Sequence, residues 1–244
     1  MSRTGGLMGS PRLRDRRVSG FGRGWRATTI PCDVPSKPTR LDQHRAELAG
    51  CRRCGLAPDI APILSLAVSP RVVIVGQAPG KVEAGGGRPF AGRAGRTLFR
   101  WLAQAGIDEE KARRRIYIAA ITRCFPGPSP SGRGDRVPSP SERKNCSVWL
   151  ESELRIIRPR VIIPIGRLAL ERFFPPGPLD QLIGKAHTAA GLPGNPLLIP
   201  LPHPSGASSW IHQGNHPRLL RQALDLIAHH VSPLVWSGPL RAAS

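Results

Sequence analysis

Short runs of apolar residues recur along the chain, and helical patterns separate them. A short apolar run bounded by Gly, Pro or charged residues is typical of a strand that is buried on both faces. Such runs predict four strands, at 71–75, 116–121, 161–165 and 197–200. Pro164 lies inside the third run, and because proline has no N–H to donate, we expect incomplete pairing there.

Segments with helical patterns follow the strands and predict helices at 94–105, 140–158, 167–173 and 217–231. The second of these has a marked start. Ser139 is a typical N-cap, Pro140 suits the first helical position, and Glu142 completes a capping box. Its end is marked as well, because Pro159 disfavours helical backbone in the residue before it.

Strands that alternate with helices predict an α/β fold of three layers, α/β/α, with a central, mostly parallel, four-stranded sheet. Ligands of such sheets bind beyond the carboxyl ends of the strands. This rule brings four places together: 76–90, 122–124, Gly166 and 201–205. Two stretches rich in Pro, Gly and Ser are predicted to be loops, at 126–140 and 175–196.

The composition divides the chain into three parts. Residues 1–38 are rich in Arg, Gly, Ser and Pro and predict a disordered basic arm, 39–235 an α/β domain, and 236–244 a tail. The formal net charge of the chain is +20, which attracts polyanions, nucleic acid first. A basic tail on a neutral domain would also explain this charge.

Membrane contact is not expected, because no apolar run reaches the roughly 18 residues that a spanning helix needs. The N-terminus is basic but has no apolar region of the signal-peptide type. We therefore expect a cytoplasmic protein whose thiols stay reduced, and we expect it to be a monomer.

Four cysteines are arranged around the predicted strands. Cys51 and Cys54 form a C-x2-C pair ahead of the first strand, Cys124 follows the second strand, and Cys146 lies in the first turns of the capped helix. Four thiolates suit either a structural zinc ion or an iron–sulfur cluster. The last two do not form a second C-x2-C pair, so the zinc-ribbon spacing fails, but spacing alone leaves both groups open.

The first strand breaks into an unusual glycine-rich loop, within the stretch VVIVGQAPGKVEAGGGRPFAG at 72–92. The loop is one residue too short, from Gly76 to Lys81, for the phosphate-binding consensus G-x-x-x-x-G-K-[ST]. This argues against an unrelated nucleotide-binding α/β protein. Near the fourth strand, His203 lies between two prolines, which restrict its backbone.

These motifs resemble those of a known family. GQAPG, Glu83 and then GRPFAGRAG resemble the first motif of the family 4 uracil-DNA glycosylases, and PHPS at 202–205 resembles their second motif. The resemblance covers about 51–231. It implies a three-layer α/β/α fold, DNA binding, and base excision repair by hydrolysis of the N-glycosidic bond of uracil or another deaminated base. It also implies that the four cysteines bind a 4Fe–4S cluster.

The resemblance assigns roles to individual residues. The expected catalytic residues are His203, Glu83 and Gln77; the expected base-binding residues are Gly76, Gln77, Ala78, Gly80, Phe90 and Ala120; and DNA phosphate is expected at Ser205, Gly206 and Ser208. His203 would donate a hydrogen bond to the departing base, and Phe90 would stack on it. Glu83 would orient or deprotonate water, or stabilise the cationic sugar. Trp210 or Ile211 could fill the gap that the flipped base leaves.

Three positions depart from the family pattern. Gln77 stands for the usual Glu, Ala84 for an Asp and Ala120 for an Asn that recognises uracil. A Gln amide can position water but cannot act as a base. The departures predict a relaxed choice of base. The alternative is a relative that binds damaged DNA without cleaving it.

Overall fold

One five-stranded sheet organises the computed structural model, which describes residues 38–131, 134–205 and 210–237. Its strands are β1 (Val72–Gly76), β2 (Ile116–Ala120), β3 (Val161–Pro164), β4 (His187–Thr188) and β5 (Leu197–Leu198). Their order is β2-β1-β3-β5-β4, and all neighbours are parallel except β4 and β5. The predicted basic arm, but for Pro38, lies outside the described residues, as do Gly206 and Ser208.

The four predicted strands are present, but the sheet has five strands rather than four. The missed strand, β4, consists of two residues in the Pro/Gly-rich stretch 175–196, where no apolar run announces it. Pro164 is the last residue of β3 and pairs with Val75 of β1, so the expected gap is limited to its missing N–H. Its carbonyl accepts the N–H of Leu201 at 3.0 Å, and Ile165 bridges to Leu201, so pairing continues past the missing donor.

The helices are α1 (Arg40–Ala49), α2 (Lys81–Gly86), α3 (Arg93–Gln104), α4 (Glu109–Arg115), α5 (Pro140–Ile157), α6 (Arg167–Leu170), α7 (Leu179–Leu182), α8 (His216–His230) and α9 (Ser232–Trp236). The four predicted helices correspond to α3, α5, α6 and α8. The predicted capping box of α5 is confirmed, because Ser139 and Glu142 each accept the other's backbone N–H. Helix α6 ends earlier than predicted, and α7 lies in a stretch predicted to be loop.

Alternate residues of the strands point to opposite faces, which builds the three layers. Val72 and Ile74 of β1 pack in one buried cluster with residues of α3 and α8, whereas Val73 and Val75 pack in another with α1 and α5. Because both faces are covered, the strands are apolar throughout, as the sequence pattern indicated. No helix in the described ranges is long and apolar enough to cross a bilayer.

The strand order places a crevice at the centre of the sheet. The chain passes from β1 to β2 on one side, and then returns to β3 on the other side of β1. In open α/β sheets, such a reversal leaves a crevice beyond the carboxyl ends of the two strands involved. Gly76 at the end of β1 and Gly166 just after β3 border this crevice.

Candidate active site

A cleft of about 790 Å³ opens at this edge of the sheet. Apart from the four cysteines and the pair Trp210 and Ile211, every predicted site residue that the structure describes lines this cleft: Gly76, Gln77, Ala78, Gly80, Glu83, Phe90, Ala120, His203 and Ser205. The structure therefore brings the loop after β1, the end of β2 and the segment after β5 to one place.

The two predicted residues missing from this lining are Gly206 and Ser208, which lie outside the described ranges. Every predicted catalytic, base-binding or phosphate residue that the structure does describe therefore lines the cleft. The lining also contains charged side chains that sequence analysis missed: Lys81, Arg93, Arg123, Asp135 and Arg136. Four of these five are basic, which suits a polyanionic ligand such as DNA.

Glu83 is buried and holds the glycine-rich loop together. One of its carboxylate oxygens accepts the backbone N–H of Gly80 at 3.0 Å, and the other accepts that of Gly92 at 3.0 Å. Bonds to the charged form of a carboxylate stabilise that form. Because both oxygens are bound in this way, the geometry favours the predicted electrostatic role of Glu83 over proton abstraction from water.

The same bonds limit which backbone N–H groups of the loop could donate to a base. Of the four positions from Gln77 to Gly80, Pro79 has no N–H, and the N–H of Gly80 is bound to Glu83. Gln77 and Ala78 are the remaining candidates for donating to a base edge. Gly80 itself leaves no room for a side chain, since a Cβ there would lie 2.8 Å from a Glu83 carboxylate oxygen.

His203 is oriented by its neighbours so that one ring nitrogen stays available. Its Nδ1 accepts the backbone N–H of Ser205 at 3.2 Å and lies 2.9 Å from the Ser205 hydroxyl. Because Nδ1 accepts, the neutral ring carries its proton on Nε2, which makes Nε2–H a donor for a ligand. Burial lowers the pKa of His203 below its usual 6.5, so the ring is neutral at pH 7.

Two contacts around His203 were not foreseen. Gly166 has a positive φ of 79°, and a Cβ at this position would lie 2.9 Å from Cδ2 of the His203 ring, so the end of β3 allows the ring to pack closely. Ser205 was predicted to bind phosphate, but its hydroxyl contacts His203. The described contacts give Ser205 a positioning role towards His203, and its contact with phosphate stays a prediction.

Phe90 has a strained backbone that its surroundings hold in place. Its φ is 51°, in the left-handed region that few non-glycine residues adopt. Arg113 donates to the carbonyls of Pro89 at 2.7 Å and Phe90 at 3.1 Å, and its guanidinium lies over the Phe99 ring. Gly95 is equally tight, because a Cβ there would fall 1.8 Å from the Phe90 carbonyl oxygen. The Phe90 ring packs against Gly76 at the cleft floor.

Trp210 and Ile211, which were predicted to fill the gap left by a flipped base, have contacts within the protein. Trp210 and Ile211 lie in a 3-10 helix, Trp210–His212, and both pack against the core. The Trp210 ring stacks on His216 with 4.1 Å between ring centroids, and the Trp210 carbonyl lies 2.7 Å from Nδ1 of His216. These contacts do not favour insertion of Trp210 into DNA. Filling the gap left by a flipped base stays a prediction for Ile211.

Cys51, Cys54, Cys124 and Cys146 line a second, smaller cavity. Burial, followed by the proximity of the other three cysteines, raises the pKa of the Cys124 thiol to about 12. Trp149 donates its indole N–H to the Cys51 sulfur at 3.3 Å. In the described part of the chain, no three metal-binding side chains are grouped closely enough to hold a single metal ion.

Arg123 lies between the two cavities and lines both of them. Its guanidinium pairs with Glu153, which is fully buried and also accepts the Tyr117 hydroxyl at 2.7 Å. Burial raises the pKa of the Cys146 thiol to about 11, and the nearby charge and backbone of Arg123 oppose this rise. Arg123, which follows β2, therefore connects the cysteine cavity to the wall of the cleft. The spacing of residues in the sequence does not reveal this connection.

Comparison with known proteins identifies the family. The profile of the uracil DNA glycosylase superfamily matches residues 65–227. The chain is 34% identical over 142 residues to a type-4 uracil-DNA glycosylase of Thermotoga maritima, which covers 55% of this chain and 65% of that relative. It is 34% identical over 136 residues to a type-4 uracil-DNA glycosylase of Archaeoglobus fulgidus, covering 55% and 63%.

A type-5 uracil-DNA glycosylase of Pyrobaculum aerophilum is 36% identical over 112 residues, covering 41% of this chain and 46% of the relative. Each of these matches spans less than two thirds of the relative's length. The family profile covers well over half of this chain, including both motifs of the cleft. The chain therefore belongs to the uracil-DNA glycosylase superfamily and resembles its type-4 members, as its motifs predicted.

Proposed function

We propose that the protein is a DNA glycosylase that hydrolyses the N-glycosidic bond of uracil or another deaminated base in DNA. The observation that carries this proposal is the pairing of His203 with the glycine-rich loop in one cleft. A neutral histidine with a free Nε2–H faces the same space as Phe90 and the backbone of Gln77 and Ala78. A base needs such a donor, an aromatic ring and edge contacts when it leaves the DNA stack.

The reaction separates charge, and the cleft contains groups for both signs. Breaking the bond between C1′ and the base nitrogen leaves positive charge on the sugar and negative charge on the base. His203 would stabilise the negative base by donating from Nε2, and the buried Glu83 carboxylate would stabilise the positive sugar. Lys81 and Arg93, on the rim, would neutralise neighbouring phosphates.

An assay with the purified full chain tests the proposal. Duplexes and single strands that contain uracil, hypoxanthine or xanthine are incubated with the protein, and abasic sites are revealed by alkaline cleavage. We expect release of at least one deaminated base, at a rate far above that of the undamaged strand. Selective binding to a damaged duplex without release of any base would instead support the non-cleaving alternative, which Gln77, Ala84 and Ala120 motivate.

We also propose a 4Fe–4S cluster in the cavity of the four cysteines. The donor set fits, because four thiols line one cavity and the indole N–H of Trp149 donates to the Cys51 sulfur. Such hydrogen bonds to sulfur are common around iron–sulfur clusters. The cluster would join the segment before β1 to the end of β2 and to α5, and so would stabilise one wall of the cleft.

If the cluster is present, the protein should be brown, absorb broadly at about 400 nm, and contain bound iron and sulfide. Cys51→Ala and Cys146→Ala should lose both the colour and the iron, because each removes one of four ligands. Cys32→Ala is the matched control and should retain both, since Cys32 lies outside the ligand set. A colourless wild-type protein that contains one zinc ion per chain would contradict the proposal.

We propose DNA as the partner of the whole chain, with the basic arm adding affinity but no selectivity. The arm at 1–38 contains eight Arg or Lys residues and two Asp residues, so most of the charge of +20 belongs to the rest of the chain. Deletion of the arm should weaken binding of damaged and undamaged duplex equally, and should flatten the dependence of affinity on salt. Binding titrations at several salt concentrations measure both.

The control for this deletion is an arm of equal length in which Ser replaces every Arg and Lys. It should behave like the deletion, because only the charge matters in this account. A truncation that changes the preference for damaged DNA would show that the arm reads the lesion.

We further propose that the protein is a cytoplasmic monomer, and light scattering at micromolar concentration should give the mass of one chain.

The choice of base should respond to position 120. Ala120 lines the cleft at the end of β2, and its methyl group offers no hydrogen bond to a base edge. Ala120→Asn should raise the ratio of uracil release to hypoxanthine release by about tenfold or more, because an unpaired amide penalises the wrong base. Ala120→Leu has a similar volume without the amide and should give no such gain. Equal ratios in Ala120→Asn and wild type would show that this position does not read the base.

A further inference from the structure

A loop outside the two motifs that carry the family resemblance delivers a carboxylate to the cleft. Asp135 lies in the segment between β2 and α5 and lines the cleft together with the loop after β1. Its Oδ2 lies 2.8 Å from the point that a Cβ on Gly80 would occupy, and Oε2 of Glu83 lies 2.8 Å from the same point. The two carboxylates therefore meet over Gly80.

The backbone around Asp135 is anchored on both sides. Asp135 forms a bridge with Pro128, the N–H of Ser129 donates to the carbonyl of Gly134 at 2.9 Å, and the N–H of Arg136 donates to that of Gly127 at 3.0 Å. The guanidinium of Arg136 then grips both oxygens of one carboxylate, that of Glu142, at 2.8 and 2.6 Å. These hydrogen bonds fix the backbone of Asp135 and of its described neighbours.

The Asp135 carboxylate itself is left without a partner. Among the described residues, no hydrogen bond or ion pair engages it, although Arg136 is its neighbour in sequence. The Arg136 guanidinium is bound to Glu142 instead. A free carboxylate in a cleft with four basic side chains does not serve phosphate binding, because it repels phosphate. It suits a position where positive charge develops.

Among the described residues that line the cleft, no other side chain has an unbound carboxylate. Gln77 has an amide, which does not accept a proton from water. Glu83 has both oxygens bound to backbone N–H groups. Asp135 is the remaining carboxylate among the described residues that line the cleft. Asp135 also lies beside Gly80, which belongs to the same loop as Gln77.

We propose that Asp135 is the carboxylate that activates water for attack on the sugar. This inference rests on the proposed glycosylase function and names a residue for it. In the step, the water oxygen forms a bond to C1′ while the bond between C1′ and the base nitrogen breaks. The electron pair of that bond leaves with the base, which His203 stabilises, and the water proton passes to Asp135. The products are a sugar hydroxyl and the free base, which later takes a proton from solvent.

The test measures single-turnover cleavage and lesion binding by Asp135→Asn in the full chain. The substitution is nearly isosteric and lies at an exposed position, so the fold should be unchanged, which a thermal melt checks. We expect the rate to fall by about 100-fold or more, the usual scale for a lost general base, with unchanged lesion binding. Asp180→Asn, at an exposed position of α7 that does not line the cleft, is the matched control and should cleave as wild type does.

A second variant separates chemistry from structure. Gln77→Glu in the Asp135→Asn background returns a carboxylate to the same loop, and we expect it to recover much of the lost rate. An Asp135→Asn protein that cleaves at the wild-type rate would overturn the role of Asp135, as would a slower rate explained wholly by weaker lesion binding. Wild-type cleavage, measured alongside, tests the proposed function separately: a wild type that leaves every deaminated base intact overturns both proposals.

Discussion

His203→Ala should reduce single-turnover release of the base by about two orders of magnitude or more, the usual scale for one donor to a developing oxyanion. The imidazole Nε2–H is a donor fixed in place before the reaction, because Ser205 occupies Nδ1 and Gly166 allows the ring to pack against β3. Alanine removes this donor without adding bulk. Binding to undamaged duplex should barely change, since His203 does not contact phosphate in this account.

The matched control is His229→Ala, which removes an exposed histidine of α8 and should leave the rate unchanged. The pH dependence gives a second check. Because burial places the pKa of His203 below 6.5, the neutral ring should still act above that pH, and its donor should not be lost as the pH rises towards 8. A rate that falls about tenfold per pH unit above 6.5 would show that imidazolium is required, and would contradict this assignment.

Gly95→Ala should be among the most damaging single substitutions in the domain. The added Cβ would lie 1.8 Å from the Phe90 carbonyl oxygen and 2.5 Å from its carbonyl carbon, both backbone atoms. The Phe90 backbone cannot easily yield, because Arg113 holds the same carbonyl and the residue already has φ of 51°. We expect the free energy of unfolding to fall by about 3 kcal/mol, at the upper end for overpacking, and cleavage to fall with it.

Gly85→Ala is the control for this substitution. It adds the same methyl group inside α2, where nothing lies within 4 Å of the new Cβ. Because alanine favours helix over glycine, stability should be unchanged or higher by about 0.5–1 kcal/mol. Denaturant unfolding of both variants measures the difference. Equal stabilities for Gly95→Ala and Gly85→Ala would show that the strained Phe90 backbone is not held as described.

Much of the fold could be predicted because its signals are local. The strands β1, β2 and β3 are buried on both faces, so each is a continuous apolar run, and the capping box of α5 is complete within four residues. Strand β4 could not be predicted in the same way. It has two residues, and it exists because β5 offers a free edge.

The site was predictable where topology alone decides it. Carboxyl ends of parallel strands lie at one edge, so the loop after β1 and the segment after β5 had to approach each other. The residue contacts were not predictable, because partners distant in sequence form them. Arg113 of α4 donates to the Phe90 carbonyl, and Asp135 lies beside Gly80. The length of the loop that carries Asp135 does not indicate this position. Glu83 was expected in the loop after β1 and lines the cleft, but its bonds to two backbone N–H groups could not be predicted, because they depend on how the loop folds.

We expect the loop after β1 and His203 to form one pocket for a flipped, deaminated base. Single-turnover cleavage and binding of uracil- and hypoxanthine-containing duplexes by wild type, His203→Ala and Phe90→Ala test it most directly. We expect cleavage by wild type, loss of rate without loss of duplex binding in His203→Ala, and lesion binding weaker by about 1–3 kcal/mol in Phe90→Ala. Cleavage by both variants at the wild-type rate would contradict it and would place the pocket elsewhere.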